Sequence, residues 1–187
     1  MQSLVTAVQK YATLKQGVLQ AFISAFTVET YEKDEHIIEA NQYCRKLWFI
    51  NKGVLRTYYY QNGKDITAWI YPQKYFVTQW SSFYYDNPTT DSIQAIAPTE
   101  LLVITKTELN KLYDTYPELN LFGRKMMEEM TAFVDYIQHG FMFTEAKERY
   151  DNLIAIYPDI LQVANLGHIA SMLGMTQETL SRIRKIK

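Results

Sequence analysis

The chain has 187 residues with a formal net charge of −1, enough for one large domain or a medium one with a small one beside it. Hydrophobic residues make up 48% and charged residues 21%, ordinary for a globular protein, so a basic surface for nucleic acid must be local rather than global. Cys44 is the only cysteine, which excludes an intrachain disulfide, a cysteine-based zinc site and an iron–sulfur cluster.

A lone thiol suits a reducing compartment. The start, "MQSLVTAVQKYATLKQG", lacks the cationic stretch and apolar run of a signal peptide. Apolar runs such as "LWFI" and "FMF" fall far short of about 18 residues, so no membrane span is expected and a cytoplasmic location is.

In chain order, Leu4, Val8, Tyr11, Leu14, Val18, Phe22 and Phe26 repeat at helical spacing, with a break expected near Gly17. From Thr27 to Ile104 the texture changes to short strands and turns. "TVETY" alternates, "LWFI" is a buried run, "NKG" at 51–53 is a turn, and "VLRTYYYQ" and "DITAWIY" flank Asn62-Gly63, a strong hairpin signal. "SIQAIA" and "ELLVI" add two more strands, and the whole predicts an antiparallel β barrel or sandwich.

Helical spacing returns at "TELNKLYDTY", with Thr107 as the expected N-cap and Pro117 beyond its end. In the long segment that follows, Gly123, Met126, Met130, Phe133, Ile137 and Gly140 are spaced 3, 4, 3, 4, 3. Such a heptad seam suits either a helix packed on its own barrel or, the reading preferred here, a dimer contact.

After Pro158, Leu166, Ile169, Ala170 and Leu173 form one short helix, Gly174 ends it, and Thr176 caps a second helix held by Leu180 and Ile183. This is the pattern of a helix-turn-helix. From Leu166 onward Arg182, Arg184, Lys185 and Lys187 stand against Glu178 alone, a local charge of +3. Gln177, Glu178, Thr179, Ser181, Arg182 and Lys185 are not needed for packing. Arg182 suits guanine, Glu178 a cytosine amine and Gln177 adenine. A solvated basic helix face would look similar.

The segment "LGHIASMLGMTQETLSRIRKIK" resembles the helix-turn-helix of the Crp/Fnr transcription regulators. "AKERYDNLIAIYPDILQ" is similar to that family's lead-in, and "LWFINKGVLRTYYYQNGKDITAWIYPQKYF" to its barrel hairpins. The resemblance implies an α+β fold: a cyclic-nucleotide-binding-like barrel (residues 1–116), a dimer helix (117–145) and a DNA-binding domain (146–187). It implies a homodimer on double-stranded DNA, a small-molecule effector and contact with RNA polymerase. It places Gln177, Glu178 and Arg182 at base-reading positions, with Gln177 where Arg is common, and makes Thr176, Thr179 and Ser181 phosphate or cap residues. The family's β wing has no counterpart before the chain stops at Lys187, so the wing is expected to be missing or truncated.

By the same resemblance Thr78 and Gln79 stand where cyclic-AMP-binding members carry Gly-Glu, and Thr89 and Thr90 where they carry an Arg pair. No Lys or Arg lies between Tyr75 and Ala97, and burying a phosphate without a cation is costly. Cyclic AMP is therefore not expected. Thr78, Gln79, Trp80, Ser81, Phe83, Thr89 and Thr90, with Tyr84 and Tyr85 nearby, form either a pocket for another ligand or, the favoured reading, a filled core. His36, His139 and His168 sit in separate elements, so haem is not expected, and no cofactor, metal or catalytic motif is evident. The competing reading is a sensing or interaction dimer of the same architecture that does not bind DNA.

Overall fold

The computed structural model describes residues 1–142 and 144–185; the Lys187 cation and Phe143 of the "FMF" run lie outside them. Two helices, α1 (Gln2–Tyr11) and α2 (Gln16–Ser24), open the chain. The break falls at Ala12, whose backbone is extended, and Gly17 sits inside the first turn of α2 rather than at the break.

Eight strands follow: β1 (Thr27–Tyr31), β2 (His36–Ile38), β3 (Lys46–Lys52), β4 (Leu55–Gln61), β5 (Lys64–Tyr71), β6 (Phe76–Val77), β7 (Ser92–Ala95) and β8 (Thr99–Thr105). They form two antiparallel four-stranded sheets, ordered β1-β8-β3-β6 and β2-β7-β4-β5. The short β2 and β6 carry no sequence signal of their own. At the Asn62-Gly63 turn both residues have positive φ (52° and 75°), and Gln61 pairs with Lys64. This is a two-residue turn of the twisted kind that hairpins prefer. Gly53 has φ +95°, and a Cβ there would lie 2.7 Å from the Pro98 carbonyl oxygen, so the tight β3–β4 turn requires glycine.

The "LWFI" run of β3 is apolar throughout because both of its faces are covered. Leu47 and Phe49 face a core made with α1, α2 and the helices after the barrel, while Trp48 and Ile50 face the core between the sheets. β8 does the same, with Leu102 and Ile104 on one side and Leu101 and Val103 on the other.

Three helices belong with the two sheets: α3 (Trp80–Tyr85) between β6 and β7, α4 (Lys106–Thr115) and the long α5 (Leu119–Met142). The N-cap of α4 is Thr105, not Thr107. Its hydroxyl accepts from the Glu108 amide at 3.1 Å, and the Glu108 carboxylate accepts in return from the Thr105 amide at 3.4 Å. Of Thr105 and Thr107, only Thr105 has a Glu three residues on, so the reciprocal box closes there.

The chain ends in α6 (Ala146–Ile156), α7 (Ile160–Val163), α8 (Leu166–Met172) and α9 (Gln177–Ile183). Their apolar faces share a third core with the barrel, where Leu153, Ile169, Leu173 and Leu180 meet Val54, Ile70 and Ile96. Packing therefore continues across the boundary expected at residue 146.

Candidate nucleic-acid interface and sensor site

Local chemistry sets the geometry of the last two helices. Asn165 caps α8, its side-chain oxygen accepting from the His168 amide at 2.7 Å. At the other end Gly174 has φ +64°, the Met175 amide bonds the Ala170 carbonyl and the Gly174 amide bonds that of Ser171, each at 3.0 Å. Those two bonds and a left-handed glycine are the Schellman arrangement. They end α8 and turn the chain directly into α9, where Thr176 accepts from the Thr179 amide at 3.2 Å.

Leu180 and Ile183 are buried, and Leu180 shares a core with Ile169, Ala170 and Leu173 of α8. Thr176, Gln177, Glu178, Arg182, Arg184 and Lys185 are exposed, and Thr179 and Ser181 are half-buried. The exposed residues at the start of α9 thus project away from the core as one set. Glu178 is held ionised: its own backbone amide, the Thr176 hydroxyl and Arg182 all keep its carboxyl below the usual range. It enters any contact as an acceptor.

The seam residues of α5 take a different place. Met126 is buried in the helix–barrel core. Phe133 packs edge-on against Trp69 of β5, centroids 5.7 Å apart. A Cβ on Gly123 would lie 2.7 Å from the Tyr113 hydroxyl, and one on Gly140 would lie 3.4 Å from the Asn152 amide. Met130, Phe133, Ile137 and Gly140 are all half-buried within a single chain. Part of the heptad stripe is thus engaged within the chain, Met126 and Phe133 on the barrel side, Gly123 beside α4 and Gly140 beside α6. The apolar side chains that remain exposed on α5 include Met127 (37%) and Val134 (45%).

The seven candidate pocket residues are not brought to one cavity. Thr78 is buried and donates to the Lys46 carbonyl at 2.8 Å. The nearby Ser82 hydroxyl accepts from the Cys44 amide at 2.9 Å and donates to the Asn87 carbonyl. Thr89 is buried and donates to the Asp91 carbonyl at 3.0 Å, while Thr90 is exposed and donates to the Asp91 carboxylate. Gln79 is half-buried, its Nε2 buried without a partner. Ser81 is exposed. Trp80 and Phe83 point the other way, into a groove against α4 and α5. The stretch from Thr78 to Asp91 thus ties several of its hydroxyls to backbone of the same region.

One junction has no signal in the sequence. The β5 edge meets α8, where the Thr67 amide donates to the Ser171 hydroxyl at 3.0 Å. Beside it, buried Arg56 forms a bidentate pair with Asp65, 2.7 Å on each arm, and also bonds Thr67 and Gln94. His168 lies half-buried against this pair; burial and then Arg56 push its pKa down. His36, by contrast, bonds the Tyr58 hydroxyl and His139 lies on α5 beside Asp135. Among the described residues no group of His, Cys, Asp and Glu is arranged to hold a metal, and no helix is long and apolar enough to cross a membrane.

The arrangement of double sheet, long helix and terminal helices is shared with solved structures of similar fold. The chain resembles a CooA variant from Carboxydothermus hydrogenoformans (TM-score 0.67, 22% identity, 92% of this chain and 79% of that one). It also resembles the catabolite activator protein of Thermus thermophilus (TM-score 0.60, 17% identity, 95% and 84%). A third structure is a crp/fnr-family protein of Eubacterium rectale (TM-score 0.68, 17% identity, 91% and 82%). No curated protein sequence matches the chain. Residues 28–116 match the family model of the cyclic nucleotide-binding domain.

Proposed function

We propose that this protein is a DNA-binding transcription regulator of the Crp/Fnr type that works as a homodimer. The observation that carries the reading is the exposure of Gln177 and Glu178 in the first turn of α9 and of Arg182 in its last, after a turn locked by Gly174 and Thr176. Recognition helices read base edges with residues placed this way, and Arg184 and Lys185 add exposed cations for phosphates. The dimer would form through the outer face of α5, where Met127, Thr131 and Val134 keep heptad spacing and remain exposed. That face is rotated from the Gly123–Met126–Met130 stripe, of which Met126 is buried in the helix–barrel core.

The effector is not cyclic AMP in this reading. The Thr78–Asp91 stretch carries no cation, and its hydroxyls are spent on Lys46, Asn87 and Asp91. Selection from a pool of random duplexes at near-physiological salt should return a two-fold symmetric motif with half-sites about 34 Å apart. Arg182→Ala should then weaken binding by about 1–3 kcal/mol and relax the preference at one position of each half-site. A folded dimer that enriches no sequence would instead mark a sensor that does not read DNA.

A further inference from the structure

We propose that the groove between α3, α4 and α5 binds a small amphipathic anion, one with an alkyl or aryl body and a single carboxylate-type head. Its volume is about 590 Å³, inside the range of about 300–1,000 Å³ that small-molecule sites span. The floor is apolar: Leu47 of β3, Leu109 of α4 and Met126 of α5, all buried. The rings of Trp80 and Phe83, packed edge to face with centroids 6.0 Å apart, form one wall. These surfaces take a hydrocarbon body, while Asn110, Tyr113 and Asn120 supply the uncharged polar groups of the lining.

The lip decides the head group. Arg124 is the one charged side chain that lines the groove. Its partner Glu128 lies one turn further along α5, and both side chains are more than half exposed. A surface pair of that kind contributes little, so the guanidinium is free to turn to a ligand carboxylate, which it can hold through two parallel bonds. Leu121, 40% exposed at the same lip, would close over the body and lose its contact with water. Gly123 keeps the wall thin, because any side chain there would meet the Tyr113 hydroxyl.

This site is separate from the hydroxyls of the Thr78–Asp91 stretch: it lies where α3 faces α4 and α5, whereas Thr78, Ser82 and Thr89 bond inward. It does not rest on the DNA-binding reading, and its test does not involve DNA. Decanoate, decylamine and decanol would each be titrated calorimetrically into the full-length protein below their aggregation concentrations. Saturable binding of one decanoate per chain is expected, roughly tenfold tighter than decylamine. Arg124→Gln should remove that preference. Asn110→Trp, on the exposed rim of α4, should fill the groove and abolish binding while circular dichroism and the melting temperature stay unchanged. Equal affinity for decanoate and decylamine, non-saturating uptake, or unaltered binding by Asn110→Trp would overturn the proposal. So would conversion of a dimer to monomers by Asn110→Trp, because the groove would then hold a second copy of the chain.

Discussion

Gly53 and Gly63 separate two reasons for a glycine. Both have positive φ, but a Cβ on Gly63 meets nothing within 4 Å, whereas one on Gly53 would lie 2.3 Å from the Thr99 hydroxyl and 2.7 Å from backbone. Gly63→Ala should therefore cost only the left-handed conformation, about 1–2 kcal/mol. Gly53→Ala adds a clash that backbone must relieve, and should cost more than Gly63→Ala, about 3 kcal/mol. Urea midpoints of the two variants measure the difference, and equal midpoints would show that the β3–β4 turn relaxes freely. The same contrast shows what was legible at this scale. Asn62-Gly63 announces its turn because both residue types tolerate positive φ. The need for glycine at position 53 comes from Thr99, 46 residues later, which no local pattern records.

At the scale of elements, the strands, helices and helix-turn-helix were readable wherever periodicity or capping is local, as in "LWFI", Gly174 and Thr176. The α5 stripe was readable as a stripe but not as to what it touches. Gly123, Met126, Met130, Phe133, Ile137 and Gly140 share a face, and a helix laid on a barrel needs that face as much as a helix laid on its twin. The two uses separate by mutation. Phe133→Ala removes a ring packed on Trp69 and should lower stability by about 1–3 kcal/mol without changing association. Val134→Asp, at an exposed position, should leave the melting temperature of the monomer unchanged and shift sedimentation from dimer to monomer. A dimer that survives Val134→Asp would place the interface elsewhere than the outer face of α5. That no Lys or Arg lies between Tyr75 and Ala97 was legible directly. That Thr78 and Thr89 bond inward while Trp80 and Phe83 face α4 and α5 depends on the path of α3, which the sequence does not show.

Over the whole molecule, the terminal helices meet the barrel through the core around Val54, Ile70 and Ile96 and, beside it, at one strand edge. β5 is the last strand of its sheet, so the Thr67 amide that bonds Ser171 would otherwise face water. His168 reports on this junction. Its ring faces Arg56 and Asp65 on β4 and β5, with Lys33 and Asp34 in the adjoining turn, and burial and Arg56 lower its pKa below the ordinary 6.5. The docked state therefore favours the neutral ring, while the undocked state binds the proton more readily. Docking keeps its full strength above pH 6.5 and weakens as the pH falls from there toward the lowered value. Hydrogen exchange at the Thr67 amide, corrected for its intrinsic pH dependence, reads the junction directly. Protection should fall on acidification in the native chain, fall less in His168→Gln, and be low at every pH in Ser171→Ala. Protection that is flat with pH in the native chain would mean that His168 moves with α8 without opposing its contact. A drop that His168→Gln removes would mean that proton uptake at this one ring loosens the tie between sensor and α9.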